Sequence, residues 1–395
     1  MIKLPRLNLK PREGRRARAG APWIFSNEIA LGAEAKALAA GHLVRVEGDD
    51  GRDFGVGYFN PKSLIAVRLF ETASSTAINE SFFHQRLARA LALREALYAQ
   101  PYYRLVHAEG DGLPGLTVDR FDRVCVVQAM TAGMENLLDP VLSALKALIA
   151  PVTIVLRADA SVRALEGLES YVRVDGAELS RHLTVEENGA RYFADLATGQ
   201  KTGWFFDQRD NRAFAASLAK SKTMLDAYCY SGGFGILAAR AGAKDVTGID
   251  SSATALALAE DAAAANGVEK RCRFVKADVF EELERLSAKG ERFDIVVADP
   301  PPFVRARKDL ETGAKAYRKL ARLAASVTAP GGIVFLASCS HNIALERFML
   351  ECGIGIQRTG RRAAIIRQAG AGPDHPVHSH LAETAYLKAL AYALD

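Results

Sequence analysis

The fold class is decided by the stretch DAYCYSGGFG at residues 226–235. The residues before it predict a β-strand over 224–228, and those after it predict a helix that begins at Gly235. Glycines at such a turn free backbone amides at the helix N-terminus, where a ligand can bind. The spacing Gly-x-Gly-x-x-Gly of dinucleotide-binding proteins is absent here, so the turn alone does not identify the ligand.

Strand and helix patterns alternate from residue 186 onward. The predicted strands span 224–228, 245–249, 274–276, 293–297 and 332–337, and the predicted helices span 235–240, 253–265, 280–287 and 313–327. This alternation predicts a parallel sheet with helices on both faces. Residues 186–395 are therefore expected to form an α/β, Rossmann-like domain.

Two further aspartates end strands in register with Asp226. Asp250 ends the second strand, where a carboxylate can accept hydrogen bonds from ribose hydroxyls. Asp278 ends the third strand, where a carboxylate can meet an adenine amino group. Each alone is compatible with a simple helix cap. Together, at successive strand ends, they favour a cofactor that contains adenosine.

The ends of the fourth and fifth strands carry residues suited to chemistry on a base. The sequence from Asp299 to Phe303 is DPPPF, in which the aspartate can hydrogen-bond a base edge and the phenylalanine can stack. Cys339, in the sequence ASCSH, is placed as a nucleophile in the cleft of an α/β sheet. Cys229 is expected to pack in the cofactor turn, and Cys125, Cys272 and Cys352 to lie in cores.

The N-terminal half predicts two smaller domains. Residues 1–72 hold short strand patterns broken by glycines and predict a small β-rich domain. Residues 73–185 predict an α+β domain, with a helix over 81–98 capped by Ser81 and another over 137–148. His375, His378 and His380 lack an acidic or cysteine partner at ligand spacing and predict a surface loop rather than a metal site.

Charge is concentrated at the start of the chain. Residues 1–20 contain seven lysines and arginines and one acidic residue, whereas the whole chain has a net charge of +5. Such a basic arm favours a polyanionic partner over a merely solvated tail. Five cysteines without close pairs and the lack of an apolar run of about 18 residues predict a cytoplasmic protein that does not cross a membrane.

Several motifs resemble a known family, and together they cover nearly the whole chain. They are PWIFS at 22–26, GDGLPGL at 110–116, VRALEGL at 162–168, ENG at 187–189, GQKTGWFFDQR at 199–209, CYSGGF at 229–234, DPP at 299–301 and SCS at 338–340. The chain resembles the ribosomal RNA large-subunit methyltransferases that join a β-barrel-like PUA domain, a central β-β-α-β-β domain and a Rossmann-like class I methyltransferase domain.

The resemblance implies methylation of cytosine carbon 5 in 23S ribosomal RNA, with S-adenosylmethionine as cofactor. Cys339 would be the nucleophile and Asp299 its catalytic partner, while Phe303 and Arg305 would contact RNA. The candidate cofactor-binding residues are Asp226, Tyr228, Ser231, Gly232, Asp250, Ser251, Asp278 and Asp299. A homodimer is one open arrangement.

Three other functions stay open at this point. An enzyme that methylates a nitrogen of guanine or adenine would need Asp299 and Phe303 but not Cys339. A ribosome-assembly factor could bind RNA and keep the cofactor fold without catalysis. A small-molecule methyltransferase is disfavoured by the two N-terminal domains and the basic arm.

Overall fold

The computed structural model describes residues 4–180, 182–196, 199 and 202–395. Gln200 and Lys201, within the motif at 199–209, lie outside the described residues. The described residues divide into two compact units. The first draws on residues 1–179, 196–204 and 373–384, and the second on 180–195, 205–372 and 385–395.

The first unit begins with a small β-sheet in the order β1-β3-β4-β5-β2. Its strands are β1 (Arg6–Asn8), β2 (Trp23–Phe25), β3 (His42–Glu47), β4 (Asp53–Phe59) and β5 (Ile65–Leu69), with short helices α1 (Arg15–Arg18) and α2 (Ala33–Ala37). Ile24, Val44 and Val67 are fully buried in its core. This sheet is the small β-rich domain that the glycine-broken strand patterns predicted.

A second sheet of the first unit has the order β10-β9-β8-β7-β6. Its elements are α3 (Glu80–Leu97), β6 (Tyr102–His107), β7 (Leu116–Phe121), β8 (Val124–Ala129), α4 (Ala132–Asn136), α5 (Leu138–Ile149), β9 (Thr153–Ala158) and β10 (Tyr171–Gly176). The pair β8–β9 is parallel because α4 and α5 form the crossover between the two strands. The result is the α+β arrangement that the sequence predicted.

The start of α3 corrects one sequence prediction. The cap is Asn79, whose side chain accepts a hydrogen bond of 3.1 Å from the Phe82 amide, and not Ser81. Asn79 has extended backbone angles, whereas Ser81 already lies inside the helix. Asparagine and serine cap helices about equally well, so sequence preference alone does not choose between them.

The basic N-terminal segment is a folded part of the first unit and not a free arm. Strand β1 pairs with β3, and the side chains of Leu7 and Leu9 are buried. Arg18 forms ion pairs with Asp49 and Asp50 at 3.0 and 2.6 Å. Part of the positive charge is therefore neutralised within the fold, while Lys10, Arg12 and Arg15 are exposed.

The histidines near the C-terminus also differ from expectation. His375 and His378 are buried, with exposed fractions of 4% and 9%, so the prediction of a surface loop was wrong for both. His375 Nδ1 lies 2.8 Å from an oxygen of Asp374, and His378 Nε2 lies 3.1 Å from Glu71. Carboxylate partners explain the burial, because a buried polar ring needs hydrogen bonds. The described residues contain no group of three or more potential ligands arranged for a metal ion.

The second unit contains the predicted Rossmann-like sheet, in the order β15-β14-β13-β16-β17-β19-β18. The strands of this sheet are β13 (Thr223–Ala227), β14 (Asp245–Asp250), β15 (Cys272–Lys276), β16 (Phe293–Ala298), β17 (Thr328–Ser338), β18 (Ala363–Ala369) and β19 (Lys388–Leu394). The unit also contains a separate two-stranded sheet of β11 (Leu183–Glu187) and β12 (Ala190–Ala194). Its helices are α6 (Arg209–Ser217), α7 (Gly233–Arg240), α8 (Ala253–Ala265), α9 (Val279–Ala288), α10 (Leu310–Ser326) and α11 (Leu345–Gln357).

Strands β13 to β17 are mutually parallel, and β19 runs antiparallel between β17 and β18. The strand order reverses between β13 and β16, where doubly wound sheets open a ligand cleft at the carboxyl ends of the strands. The α/β class is thus confirmed. The predicted domain boundaries at 72/73 and 185/186 stay a prediction, and β11 spans the second of them.

Two smaller expectations can be compared with the structure. Cys125, Cys229 and Cys352 are buried as predicted, but Cys272 is only half-buried because it begins β15, a strand at the edge of the sheet. In the part of the chain that the structure describes, no helix is long and apolar enough to cross a membrane.

Candidate active site

The glycine-rich turn between β13 and α7 has an unusual backbone. Tyr228, Tyr230 and Gly232 have positive φ angles of 63°, 49° and 81°. Left-handed conformations at the two tyrosines are costly, and such strain concentrates at functional sites. Left-handed and right-handed backbone conformations alternate along the turn, so the chain curls at the carboxyl edge of the sheet, at the N-terminus of α7.

The glycines serve packing as much as ligand access. A Cβ atom at Gly235 would lie 2.8 Å from Val246 and 3.3 Å from the carboxylate of Asp226. The Gly235 amide instead donates a 2.8 Å hydrogen bond to Asp226 Oδ2. Glycine at this position therefore lets α7 approach the sheet closely enough for Asp226 to hold its first turn.

Asp226 is buried, with 1% of its surface exposed. The pKa of its carboxyl is raised to about 7, mainly by burial and also by the charges of Asp299 and Asp250, while the hydrogen bond from Gly235 acts in the opposite direction. The side chain lies under the turn. We assign to it the role of fixing the turn, and a contact with the cofactor stays a prediction.

Asp226→Asn should make the unfolding free energy less sensitive to pH. A raised folded-state pKa means that the wild-type protein is most stable below the unfolded pKa and loses stability as pH rises towards 7. Asparagine keeps an acceptor for Gly235 and has no charge to bury. Between pH 5 and 8 the variant should gain about 2–3 kcal/mol relative to wild type, at about 1.4 kcal/mol per pH unit up to pH 7. Denaturant titrations at both pH values measure the difference, and parallel pH dependences would contradict the prediction.

The remaining cofactor candidates surround the same turn. Asp250 Oδ2 accepts a 2.9 Å hydrogen bond from the Tyr230 amide, and its Oδ1 accepts one from Ser252. Burial raises the pKa of the Tyr228 phenol, and the carboxylates of Asp278 and Asp250 raise it further. Asp278 itself caps α9 by accepting from the Glu281 amide.

Among the described residues, one buried side-chain oxygen of the turn has no hydrogen-bond partner. The Ser231 hydroxyl is fully buried and has no hydrogen-bond partner among the described residues. Buried polar groups without partners are rare in folded proteins and indicate a ligand or water. The orphaned hydroxyl, the carboxylates of Asp250 and Asp278 and the curled turn fit S-adenosylmethionine, which offers hydroxyl and amino donors and is cationic at sulfur. Ser251, the residue that follows Asp250 at the end of β14, is exposed.

Asp250→Ala should weaken the binding of S-adenosylmethionine by about 10- to 150-fold, because a charge-assisted hydrogen bond is worth about 1.5–3 kcal/mol. Isothermal calorimetry measures the change. Asp261→Ala, which removes an exposed carboxylate from α8, is the matched control and should bind normally. Unchanged affinity in Asp250→Ala would contradict its assignment to the cofactor.

Asp299 stands at the end of β16, beside the turn. Its Oδ2 accepts a 2.9 Å hydrogen bond from Gln208, whose own oxygen accepts from Asn211. Gln208 is buried and lies within the motif at 199–209. No sequence pattern assigned a role to Gln208, although the motif contains it.

The segment 338–340 is held by one phenol. Ser338 donates to the Tyr317 hydroxyl at 2.7 Å, and the Tyr317 hydroxyl is 2.9 Å from Ser340 Oγ. Both serines are buried, whereas Cys339 between them is partly exposed. The arrangement fixes the backbone on each side of Cys339, a residue that is itself partly exposed. Tyr317 was not among the residues that the sequence singled out.

The loop after Asp299 is tied to this segment. The Val304 amide donates to Ser340 Oγ at 3.2 Å, and the Asn342 side chain donates to the Arg305 carbonyl at 3.0 Å. The residues at the ends of β16 and β17, neighbouring parallel strands, are thereby brought together as the sequence predicted.

The two candidate RNA contacts occupy different environments. The Phe303 ring is partly buried, 4.8 Å from the Tyr317 ring and 5.9 Å from Phe280 between centroids. Base stacking by Phe303 therefore has to use the edge or face that these rings leave. Arg305 is exposed beside it. Both assignments stay predictions.

Comparison with known proteins gives the family. Residues 106–392 match the model of the S-adenosylmethionine-dependent methyltransferases, and residues 7–72 match that of the PUA-like domains. The chain is 36% identical over 390 residues to the ribosomal RNA large subunit methyltransferase I of Shewanella denitrificans, covering 98% of each protein. It is 35% identical over 373 residues to the protein of the same name from Pseudoalteromonas atlantica, covering 93% of this chain and 94% of that one.

Solved structures agree in fold. A methyltransferase from Streptococcus mutans superimposes with a TM-score of 0.83 at 20% identity, over 99% of this chain and all of that one. The methyltransferase SMU.776, solved with SAH, gives a TM-score of 0.84 at 19% identity with the same coverage. The chain belongs to the S-adenosylmethionine-dependent methyltransferase family that includes the ribosomal RNA large subunit methyltransferases I.

Proposed function

We propose that this protein methylates carbon 5 of a cytosine in 23S ribosomal RNA through a transient covalent bond to Cys339. The observation that carries the proposal is the position of Cys339, a partly exposed cysteine on a segment that Tyr317 holds in place at the end of β17. The end of β16, the neighbouring strand, carries Asp299. The names of the two relatives, ribosomal RNA large subunit methyltransferases I, support ribosomal RNA of the large subunit as substrate.

Carbon 5 of cytosine is a weak nucleophile until carbon 6 carries an electron-rich substituent. The Cys339 thiolate adds to carbon 6 and pushes electron density onto carbon 5. Bound S-adenosylmethionine supplies the methyl group that carbon 5 accepts. The proton on carbon 5 then passes to a base or water, the bond between sulfur and carbon 6 breaks, and the thiolate is restored.

Asp299 is positioned to stabilise the charge that develops in these reaction steps. Its carboxylate, fixed by Gln208, can accept a hydrogen bond from the exocyclic amino group of the base while charge develops on the ring. Ser231, Asp250 and Asp278 would hold the cofactor. Attack on carbon 6 requires approach to the ring face, so the target base must be unstacked, at a cost of a few kcal/mol if it is paired.

RNA binding should weaken steeply with salt, because phosphate contacts release counterions. Replacing the exposed Lys10, Arg12 and Arg15 with glutamine should lower the slope of log affinity against log salt by about 2, or about 0.7 per lost contact to single-stranded RNA. Deleting residues 1–20 is unsuitable, since β1 belongs to a sheet.

The matched control for this experiment replaces three exposed lysines with glutamine: Lys244, Lys270 and Lys289. These lysines precede β14, β15 and β16, at the amino edge of the parallel strands and away from the carboxyl edge that carries the candidate site. We expect it to leave the slope unchanged. Fluorescence anisotropy with a labelled RNA fragment from 50 to 300 mM salt, roughly the range over which such contacts are lost, provides the measurement. Equal slopes for wild type and the N-terminal triple variant would show that this surface does not contact phosphate.

The target atom is tested with purified protein, methyl-labelled S-adenosylmethionine and unmodified ribosomal RNA, followed by digestion and identification of the labelled nucleoside. The proposal predicts 5-methylcytidine. A label on a guanine or adenine nitrogen would replace carbon 5 chemistry with the alternative that needs no Cys339. No label in RNA, with cofactor bound, would indicate a non-catalytic assembly factor. A ribosomal RNA substrate agrees with the prediction of a cytoplasmic protein. The homodimer stays a prediction, which analytical ultracentrifugation can test.

A further inference from the structure

A buried lysine lies beside the proposed nucleophile and has no role in the chemistry described so far. Lys388 begins β19 and pairs in register with Ser338, the residue before Cys339. Its Nζ donates hydrogen bonds to the carbonyl oxygens of Ser340 at 2.7 Å and Tyr386 at 2.9 Å. The cation therefore holds the carbonyl of the residue that follows Cys339.

Lys388 is buried without an ion pair in the part of the chain that the structure describes. Only 8% of the residue is exposed, and no carboxylate in the described part of the chain forms an ion pair with it. Lysine is almost never buried unless it is paired, because a desolvated ammonium group is costly. Two carbonyl groups satisfy hydrogen bonds but supply no full negative charge. An anion formed beside Lys388 would remove that deficit.

The other titratable groups that the described residues place near the Cys339 segment do not supply this charge. They are Tyr317 on α10, His341, Tyr386 and Asp207. The Tyr386 ring stacks on His341, and the Tyr386 hydroxyl donates a hydrogen bond to Asp207. Burial raises the pKa of the Tyr317 phenol, which therefore stays neutral. The Asp207 carboxylate accepts its hydrogen bond from the Tyr386 hydroxyl and forms no ion pair with Lys388 among the described residues.

We propose that Lys388 is a positioning residue, the counter-cation that stabilises the Cys339 thiolate and fixes the backbone that carries it. The inference deepens the proposed function, since covalent catalysis requires a thiolate at neutral pH. A free thiol has a pKa of about 8.5, and a neighbouring cation lowers it. Hydrogen bonds from the same ammonium to Ser340 and Tyr386 keep the charge in place while sulfur is attached to carbon 6.

The electrostatics of Lys388 agree with this pairing. Burial lowers the pKa of its ammonium group, and interaction with Cys339 opposes that effect. The interaction between two charges is mutual, so a thiolate that favours the ammonium form is itself favoured by the ammonium. The pair thus explains both how a buried lysine stays charged and how the thiol ionises.

The test measures thiolate formation directly and needs no RNA. Cys272 is the other cysteine with exposed surface, so a Cys272→Ser background leaves Cys339 as the accessible thiol. The rate of iodoacetamide alkylation is followed by intact mass from pH 5.5 to 9.5, in roughly half-unit steps around the free-thiol value. Lys388→Met keeps the length of the side chain and removes its charge, Lys388→Arg keeps the charge, and Lys319→Met, at an exposed site on α10, is the matched control.

We expect Lys388→Met to move the alkylation midpoint upward by about one pH unit or more, and to slow alkylation at pH 7 by about tenfold. Lys388→Arg should restore most of the shift, and Lys319→Met should behave like the parent. A midpoint that is the same in parent and Lys388→Met overturns the pairing. If Lys388→Met is not folded by circular dichroism, the parent and Lys388→Arg are compared with free cysteine, and a parent midpoint at the free-thiol value overturns the proposal.

Failure of this inference and failure of the proposed function give different results. If the midpoint shifts but the RNA product carries a methylated nitrogen, Lys388 pairs with a thiolate that serves no covalent methylation. If 5-methylcytidine forms while the midpoint does not shift, carbon 5 chemistry stands and Lys388 is not the activating cation.

Discussion

Replacing Cys339 with alanine should reduce kcat for RNA methylation by at least about 10³-fold, because loss of an essential nucleophile removes the covalent path entirely. The affinity for S-adenosylmethionine should be unchanged, since Cys339 follows β17, whereas Ser231, Asp250 and Asp278, which would hold the cofactor, lie at or after the ends of β13, β14 and β15. Single-turnover methylation with saturating cofactor measures the chemical step.

The matched control is Cys272→Ala, which removes a half-buried thiol at the opposite end of the sheet and should methylate normally. Cys339→Ser separates nucleophilicity from shape, because a serine hydroxyl has nearly the same size and is hardly ionised at neutral pH. It should be as inactive as the alanine variant. Turnover within about threefold of wild type in either Cys339 variant would exclude covalent catalysis, because so small a loss of kcat is far below that expected when an essential nucleophile is removed.

Asp299→Ala should lower kcat by about 10²–10³-fold, the usual effect of removing one group that stabilises developing charge. The carboxylate is fixed by Gln208 at 2.9 Å, so its orientation is set before substrate binds. Asp299→Asn keeps the shape and one acceptor oxygen and should retain more activity than alanine. Equal losses in both variants would show that the negative charge matters more than the hydrogen bond.

The affinity for cofactor separates the two roles considered for Asp299. If the residue acts on the base, the dissociation constant for S-adenosylmethionine should change little in Asp299→Ala. A loss in cofactor affinity as large as the loss in kcat would instead place Asp299 in the cofactor site. The comparison variant Asp261→Ala should change neither quantity.

Much of the catalytic domain followed from local sequence patterns. The alternation of strands and helices predicted the parallel sheet, and strand ends predicted that Asp250, Asp278, Asp299 and Cys339 would share one edge. This succeeds because the carboxyl ends of parallel strands meet at the same edge, whatever the intervening helices contain. The roles of these residues stay predictions, but their proximity did not require knowledge of distant contacts.

The parts that were missed depend on contacts between distant segments. Lys388 lies beside the segment that carries Cys339 only because β19 pairs antiparallel with β17, and no local sequence pattern predicts that pairing. Gln208 reaches Asp299 across 91 positions of sequence. One local signal was available, since a lysine inside the apolar run 387–394 is unusual in a buried strand.

The histidine cluster was misjudged for a related reason. Exposure was inferred from the lack of ligand spacing, yet Asp374 is adjacent in sequence to His375 and pairs with it. The partner of His378 is Glu71, which only the fold brings near. Burial of a polar residue depends on such partners, and sequence shows only those close along the chain.

The covalent mechanism, the central claim, is tested most directly with RNA in which the target cytosine carries fluorine at carbon 5. Fluorine replaces the proton that must leave, so methylation should stall with the RNA bonded to the enzyme. Covalent catalysis predicts a denaturation-resistant complex with wild-type protein and cofactor. The mass spectrum should then contain a peptide in which Cys339 is joined to the methylated fluorocytidine. Cys339→Ala should form none. Normal turnover on the fluorinated RNA, or an adduct on another residue, would contradict the account.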